Sequence, residues 1–402
     1  TSDSEYMSED TGVLAIGNSL DGKRVILAVS GGIAATESVK LARELRRHGA
    51  EVYPMMTKSA EKVITPLALS WGSGISVVTD WESEMSQLGE FDGLILAPAT
   101  RNTIAKFVHG IIDSPVMMAI SAASGSEIPI LFVPSMHNDL FHDKVTDDLI
   151  AKSVNQGVSI MVEDPQEGKR KQPNHVEIVA MFCNLVNRRI AGRKRVAITL
   201  GANVASIDSI RKIVNTSTGN TGWSIAEYLH RMGHDVVCVS GLTSRKPTFS
   251  LPDIRVAESP ESMLEESILV ANTAKKPEYW IHAAAVLDYS PEPISGKFPS
   301  NSGDWEITLK PTLKHLKEIK KHTVDSKRIA FKLEVNGSEE SLISKSVDLI
   351  SENELLAVVA NMLHDVHGKS QSRCRIVYSD GKVSEISDID DLCAEIERII
   401  SA

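Results

Sequence analysis

Two apolar runs that end abruptly in turns rich in glycine or hydroxyl residues constrain the fold most strongly. Residues 25–29 are followed by Ser30-Gly31-Gly32, and residues 196–200 are followed by Gly201-Ala202-Asn203. A short continuous apolar run bounded by turn residues is typical of a strand buried on both faces. Glycines let a backbone approach a ligand closely, and a following helix offers free N–H groups to an anion. The pattern predicts two sheets, each with an anion-binding turn.

The size and charge of the chain exclude several classes of protein. Its 402 residues favour two domains over one core, and its net charge of −10 argues against nonspecific nucleic-acid binding. No apolar run approaches the ~20 residues that span a bilayer, and the polar, acidic start is unlike a signal peptide. The four cysteines lack zinc-type spacing, so we expect no disulfide framework, no metal site made of protein ligands, and a cytoplasmic protein.

Buried strands alternate with helical patterns in both halves, which predicts an α/β fold with two Rossmann-like, doubly wound parallel sheets. Strands are predicted at 24–29, 51–56, 93–97, 128–134, 195–200, 235–240, 279–284 and 355–361, and a hairpin around Ser379-Asp380-Gly381. Helices are predicted at 34–48, 102–110, 114–124, 176–188 and 222–232. A charged, turn-rich segment at 163–173 predicts a flap. The basic connector 191–194 places the boundary, which gives domains 1–190 and 191–402.

Small and hydroxyl residues follow three predicted strands of the first half. These segments are Ser30-Gly31-Gly32, Thr57-Lys58-Ser59 and Ala99-Thr100-Arg101-Asn102. Ligands of open α/β sheets bind at the carboxyl ends of strands, so the three segments predict one site. Each segment taken alone is also compatible with an ordinary tight turn.

These segments, together with Pro134-Ser135-Met136-His137, resemble the flavin-dependent phosphopantothenoylcysteine decarboxylases, which are homo-oligomeric flavodoxin-like proteins that hold FMN. The resemblance implies that His137 lies in the substrate-binding segment and that the flap around Glu167-Gly168-Lys169 closes over the substrate. It also implies FMN contacts at Ser30, Gly32, Ile33, Thr57, Ser59, Ala99, Thr100 and Asn102.

One departure from this family concerns catalysis. The family carries a histidine ahead of its Pro-Ala-Thr segment, whereas this chain has no histidine between His48 and His109. Our register places Met85 at that position, with Glu84 beside it. Loss of a proton-handling group lowers such a reaction by ~10²–10⁴-fold. Glu84 or His137 could substitute, or the first half could bind FMN without decarboxylating.

A second constellation lies in the other half. The segment Asn215-Thr216-Ser217-Thr218-Gly219-Asn220 predicts hydroxyl caps before a helix, and Ala283-Ala284-Ala285-Val286-Leu287-Asp288 follows a strand. An ordinary helix cap would explain the first segment equally well. With Lys297, Lys310, Phe331 and Lys345 in order behind them, these segments resemble the phosphopantothenate–cysteine ligases over residues 194–390.

The resemblance implies ligation through an acyl-nucleotide, with CTP or ATP as co-substrate and Mg²⁺ beside the triphosphate. Lys297 would be the cation of a mobile loop, and Asn215 would steady the acyl-nucleotide. The remaining nucleotide contacts would be Ala283, Ala284, Asp288, Lys310, Phe331 and Lys345. Where the family has lysine and methionine before its helix, this chain has Asn220 and Thr221.

Together the halves resemble a bifunctional family of coenzyme A biosynthesis, which implies 4′-phosphopantothenate, L-cysteine and phosphopantothenoylcysteine as ligands and a homo-oligomer. Two alternatives stay open at the sequence level. The ligase could be active beside a degenerate FMN-binding half, or the chain could be a non-enzymatic flavin-binding regulatory protein.

Overall fold

The computed structural model describes residues 11–81, 90–164, 169–363 and 372–402. The chain forms two compact units that divide between Arg189 and Ile190, here called unit 1 and unit 2. All four cysteines are buried and no disulfide joins them, and Cys238 lies in the core of unit 2, as its apolar surroundings predict. No helix in the described part of the chain has both the length and the apolar character needed to cross a membrane.

Unit 1 is built on a parallel five-stranded sheet with the strand order β2-β1-β3-β4-β6. Residues on β1 alternate between two cores: Val25, Leu27 and Val29 pack on one face of the sheet, and Ile26 and Ala28 pack on the other. Both faces are therefore covered, which explains the continuous apolar run. The strands are β1 Arg24–Val29, β2 Glu51–Met56, β3 Gly93–Ala99, β4 Ile130–Pro134, β5 Met136–His137, β6 Ser159–Ile160 and β7 Lys169–Arg170.

Five helices of unit 1 follow a residue whose side chain caps them. Thr65, Thr100, Ser114, Asp143 and Asn174 each accept a backbone N–H in the first turn of the helix that follows. The helix predicted at 34–48 opens instead as a 3₁₀ turn, Ile33–Glu37, before it continues as an α-helix. The helices are α1 Ser38–Arg47, α2 Pro66–Ser73, α3 Arg101–Val108, α4 Pro115–Gly125, α5 Asn138–Phe141, α6 Lys144–Asn155 and α7 His175–Asn187.

Unit 2 has an eight-stranded sheet with the order β12-β11-β8-β13-β16-β17-β18-β19. Strand β18 is antiparallel to both of its neighbours, β17 and β19. The sheet is therefore mixed rather than wholly parallel, since the predicted hairpin forms its edge. Two antiparallel pairs, β9–β10 and β14–β15, lie outside the sheet. They were not predicted from the sequence, because each of their strands has only three residues. The strands are β8 Arg195–Leu200, β9 Val204–Ser206, β10 Lys212–Val214, β11 Asp235–Ser240, β12 Ile254–Val256, β13 Tyr279–His282, β14 Tyr289–Pro291, β15 Leu309–Pro311, β16 Lys327–Glu334, β17 Ala357–Met362, β18 Cys374–Tyr378 and β19 Val383–Ile386.

Helix α8 begins two residues before the predicted start. Its N-cap is Gly219, with φ of 77° and no side-chain cap, so the predicted hydroxyl N-cap was wrong. The Thr218 hydroxyl, one residue earlier, accepts the Asn220 N–H at 3.2 Å instead. The helices of unit 2 are α8 Asn220–Arg231, α9 Pro260–Ala271, α10 His315–Lys320, α11 Glu339–Asn353 and α12 Ile389–Ser401.

Each sheet has one point where the strand order reverses direction. In unit 1 this point lies between β1 and β3, and in unit 2 it lies between β8 and β13. Ligands of open α/β sheets bind in the crevice at such a switch point, beyond the carboxyl ends of the strands. The two glycine-bearing turns of the sequence follow β1 and β8, so topology places a candidate site in each unit.

Candidate active sites at the two switch points

Ser30 joins the two strand ends that flank the switch point of unit 1. Its hydroxyl donates to the Pro98 carbonyl at 2.7 Å and accepts the Thr100 N–H at 2.9 Å. The Ser30 N–H donates to the same Pro98 carbonyl at 3.3 Å. Because Ser30 is fully buried, its side chain holds the Thr100 loop from inside the protein.

The loop after β2 closes onto the same place. A Cβ on Gly31 would lie 2.2 Å from the Ser59 Cβ, so only glycine permits this approach. A Cβ on Gly32 would lie 3.7 Å from the Thr100 methyl group. The Thr57 N–H donates to the Val29 carbonyl at 3.0 Å. The structure thus brings the three predicted segments together at one edge of the sheet.

The residues expected to contact FMN differ in exposure. Ser30 and Ala99 are fully buried, so they shape the site from behind its surface. The others reach the surface: Gly32, Thr57 and Thr100 are half-buried, and Ile33, Ser59 and Asn102 are exposed. Thr100 caps α3 by accepting the Thr103 N–H, and the N–H groups of Arg101 and Asn102, which lack an intrahelical acceptor, are available to an anion.

The substrate-binding segment predicted around His137 lies beside the flap. Strand β5 pairs antiparallel with β7, which matches His137 with Lys169 and Met136 with Arg170. The His137 side chain is exposed. Glu84, Met85, Glu167 and Gly168 lie outside the described residues, so the roles expected of Glu84 and of the flap tip stay predictions.

In unit 2, the Ala285 backbone links the segments at the switch point. Its N–H donates to the Gly201 carbonyl at 2.9 Å, and its carbonyl accepts the Asn203 N–H at 3.1 Å. The side-chain amide of Asn215 donates to the same carbonyl at 3.0 Å. Asn215 and the alanine-rich segment around Ala283, far apart in sequence, are therefore neighbours in space.

Glycines allow the start of α8 to pack against the end of β8. A Cβ on Gly222 would lie 2.4 Å from the Leu200 Cβ, and one on Gly241 would lie 2.3 Å from the Ala202 carbonyl oxygen.

Two arginines that sequence reasoning missed contact the first residues of α8. Arg245 donates to the Asn220 side chain, and Arg373 donates to the Thr221 hydroxyl at 2.9 Å. Cations thus lie at the helix start although the expected lysine is replaced.

A cavity of about 1140 Å³ opens beside β13 and β16. It brings together three of the predicted nucleotide contacts, Ala284, Asp288 and Phe331. Lys314, which we did not predict, also lines it and forms an ion pair with Asp288 at 2.5 Å. Its volume slightly exceeds the ~300–1,000 Å³ typical of small-molecule pockets, so it has room for a nucleotide-sized ligand.

His282 contributes a neutral polar group to this cavity. Burial, with smaller contributions from Arg328 and His315, lowers its pKa to about 3, so the imidazole is uncharged at neutral pH. Its ring stacks on Trp280 at 5.7 Å, and within the described residues its buried Nε2 has no hydrogen-bond partner. In the sequence, only its position just before the alanine run 283–285 indicated that His282 could belong to the site.

The predicted lysines are not gathered in the cavity. Lys310 pairs with Glu292, and Lys345 pairs with Glu334 at 3.1 Å; neither lines the cavity. Lys297 is exposed in the loop between β14 and β15, and across the described ranges its ammonium group has no ion-pair partner. A shared triphosphate role for the three lysines therefore stays a prediction.

Comparisons with known proteins assign each unit to a family. The family model described as "Flavoprotein" matches residues 15–187, and "DNA/pantothenate metabolism flavoprotein C-terminal domain" matches residues 191–397. The coenzyme A biosynthesis bifunctional protein CoaBC of Thermococcus kodakarensis is 35% identical over 351 residues, which cover 86% of each chain. The Methanocaldococcus jannaschii protein of the same name is 32% identical, over 86% of this chain and 84% of its own. The Bacillus subtilis protein is 27% identical, over 94% and 96%. The chain belongs to the family of coenzyme A biosynthesis bifunctional proteins.

Proposed function

We propose that this chain catalyses two consecutive steps of coenzyme A biosynthesis. Unit 2 joins L-cysteine to 4′-phosphopantothenate, and unit 1 decarboxylates the product to 4′-phosphopantetheine. The observation that carries the proposal is that similarity to the Thermococcus kodakarensis protein covers 86% of the chain and so includes both units. The switch-point geometry supports it, because each unit presents small residues and hydrogen-bond donors where its sheet binds ligands.

Ligation begins when the carboxylate of 4′-phosphopantothenate attacks the α-phosphate of CTP or ATP and pyrophosphate leaves. The cysteine amine then attacks the acyl carbon, and the nucleoside monophosphate leaves as the amide forms. Asp288 and Phe331 line the cavity and would hold the ribose and base. Lys297 would offset the charge on the reacting phosphate. Mg²⁺ would be held mainly by phosphate oxygens and water.

Asn215 has a supporting part in this arrangement. Its amide nitrogen donates to the Ala285 carbonyl, which leaves its side-chain oxygen for a ligand at the switch point. An amide group fixed in this way costs little reorganisation when it binds the acyl-nucleotide. We therefore keep Asn215 as the residue that orients this intermediate.

In unit 1, the converging loops fit a flavin. The Gly31–Ser59 approach leaves no room for a side chain on Gly31, and Thr57, Thr100 and Asn102 offer hydroxyl and amide groups at the surface of the loops. FMN bound there would take two electrons from the cysteine thiol, which lets the adjacent carboxylate leave as CO₂, and would return them so that the product is again a thiol. His137, on the strand that pairs with the flap, would bind the substrate.

Two assays on the full chain test the proposal. Pyrophosphate release should require both cysteine and 4′-phosphopantothenate, and running it with CTP and with ATP identifies the nucleotide. Added phosphopantothenoylcysteine should yield CO₂, and the purified protein should show flavin absorbance. Lys297→Gln should lower the rate of pyrophosphate release by ~10²–10³-fold and leave the flavin spectrum unchanged. The control is Lys382→Gln, which changes an exposed lysine in the turn between β18 and β19. Pyrophosphate release without cysteine dependence would contradict the ligase assignment.

The missing histidine supports a second candidate function, which concerns unit 1 alone. No histidine occurs between His48 and His109, where the decarboxylases carry theirs. Retained flavin and normal ligation without CO₂ release would make unit 1 a flavin-binding scaffold.

We also propose that the chain forms a homo-oligomer, because Ile33, Ile111 and Ile112 are exposed apolar side chains in unit 1. Light scattering that gave a monomer mass would refute this.

A further inference from the structure

The loop that carries Lys297 is fastened to a hairpin turn nearly ninety residues earlier. The turn, residues 207–211, connects β9 to β10 and is closed by the Ile207 N–H, which donates to the Arg211 carbonyl at 2.8 Å. The loop joins β14 to β15. Its Ile294 N–H donates to the Ile207 carbonyl at 2.9 Å, and its Gly296 carbonyl accepts the Ser209 N–H at 3.0 Å. The residue just before Lys297 is therefore held by backbone bonds.

The Asp208 carboxylate holds the residue just after Lys297. Its Oδ1 closes the turn by accepting the N–H groups of Ile210 at 2.8 Å and Arg211 at 2.7 Å. Its Oδ2 reaches outward and accepts the Phe298 N–H at 3.1 Å and a bond from the Arg211 guanidinium. The Asp208 side chain is fully buried. Although burial raises the pKa of Asp208, the backbone N–H groups of Arg211, Ile210 and Phe298 lower it to about 2.

Aromatic contacts complete this attachment. The Phe298 ring stacks on Trp305 at 4.1 Å with an angle of 3°, and the Arg211 guanidinium lies 5.1 Å from the Trp305 ring centre. Arg211 also donates to the Phe298 carbonyl at 3.4 Å. The backbone on both sides of Lys297 is thus tied down while its side chain stays exposed.

We propose that Asp208 is the positioning residue for Lys297 in ligation. The inference rests on the proposed ligase function and on Lys297 as its loop cation. Strand β10 runs from the same turn to Asn215, so the turn connects the two residues expected to act on the acyl-nucleotide. Fixing a charged group before reaction lowers the cost of aligning it in the transition state, and a misplacement of about 1 Å can cost ~10²-fold in rate.

Asp208→Asn cuts this attachment selectively. Asparagine keeps the oxygen that closes the turn, but it presents an NH₂ group to the Phe298 N–H and to Arg211, neither of which can accept a bond from it. The matched control is Asp253→Asn. Asp253 lies just before β12 and forms ion pairs with Arg255 at 3.1 Å and with Arg195 at 3.6 Å. Its substitution therefore also removes a paired carboxylate of unit 2, but not one that contacts the Lys297 loop.

The first measurement is limited trypsin digestion of the full chain, followed by mass analysis of fragments ending at Lys297. Asp208→Asn should speed cleavage after Lys297 at least tenfold relative to the parent protein and to Asp253→Asn. This readout needs no substrate, so it remains interpretable if the ligase function is wrong. Unchanged cleavage, with circular dichroism showing a folded variant, would overturn the proposal.

The second measurement is ligation kinetics in a double-mutant cycle. Asp208→Asn should lower kcat by ~10²-fold with little change in KM, because binding precedes the step that Lys297 assists. In a Lys297→Gln background the same substitution should cause no further loss, since both changes remove one function. Additive losses, or normal kcat with fast cleavage, would overturn the proposal. A parent protein that never ligates would refute the proposed function, and this inference with it.

Discussion

Ser30→Ala tests whether the switch point of unit 1 is held together by a single buried hydroxyl. The substitution removes the bond donated to the Pro98 carbonyl and the acceptor for the Thr100 N–H. The Pro98 carbonyl keeps the Ser30 N–H as a partner, whereas the Thr100 N–H loses its acceptor. Because Thr100 is half-buried, we expect a cost in the lower part of the ~1–3 kcal/mol that an unsatisfied buried donor carries. For a unit of this size we expect the flavin-release temperature to fall by about 2–12 °C.

A matched control lies next to this site. Ser38 is also fully buried, but its hydroxyl makes one long bond, to the Ala97 carbonyl at 3.4 Å. A bond beyond the usual O–H···O range contributes little, so Ser38→Ala should cost below about 1 kcal/mol. The comparison isolates the network of Ser30 from the general effect of removing a buried hydroxyl.

The assay is thermal release of flavin followed by fluorescence, because it reports on unit 1 alone in a chain of two units. Flavin and protein concentrations must be equal in all samples, since ligand binding raises apparent stability. Equal release temperatures for Ser30→Ala and Ser38→Ala would refute the idea that Ser30 holds the Thr100 loop. A lower flavin-release temperature in Ser38→Ala, with no change in Ser30→Ala, would also refute that role of Ser30.

Three further predictions concern other parts of the molecule. Asn102→Asp should weaken flavin retention after gel filtration without lowering the stability of α3, because an acidic residue suits the first turn of a helix but repels a phosphate. Asn215→Ala should remove most ligation yet cost under about 1 kcal/mol of unfolding free energy, because the Ala285 carbonyl keeps its backbone partner; a normal rate would contradict its orienting role. The His234 ring is first among the groups that lower the pKa of Glu397 to about 2, so the stability from this carboxylate is complete above pH 4.5 and is lost as the pH falls through 2. The stability difference between the parent protein and Glu397→Gln should therefore narrow across that range in urea titrations, and a constant difference would contradict it.

Local patterns in the sequence were enough to predict several strands of both sheets, although β16, in the middle of the unit 2 sheet, was not predicted. Those at 24–29, 51–56, 195–200 and 235–240 match the structure residue for residue, because continuous apolar runs end sharply at polar or glycine residues. The same patterns predicted the α/β class and the turns that follow β1 and β8. Three-residue strands such as β9 and β14 carry too little periodicity to be recognised.

Tertiary structure decided which side chains meet at each site. Ser30 was expected at the flavin surface, yet the β1–β3 pairing buries it and turns its hydroxyl to Pro98 and Thr100. Lys310 and Lys345 were expected to contact the triphosphate, and in the structure each forms an ion pair with a nearby glutamate. Strand pairing and loop packing between segments distant in the chain set these partners, so local composition carries no signal for them.

The attachment of the Lys297 loop shows the same division. Sequence order marked Lys297 as a candidate, and the hairpin signal around Asp208 is too short to be read as structure. Only the fold brings the Asp208 carboxylate to the Phe298 N–H. Amino-acid order determined the two sheets and the chemistry that their turns can carry, because strand and turn preferences act over a few residues. The folded chain alone decided which groups are exposed, neutral or held in place, because those properties depend on contacts between residues far apart in sequence.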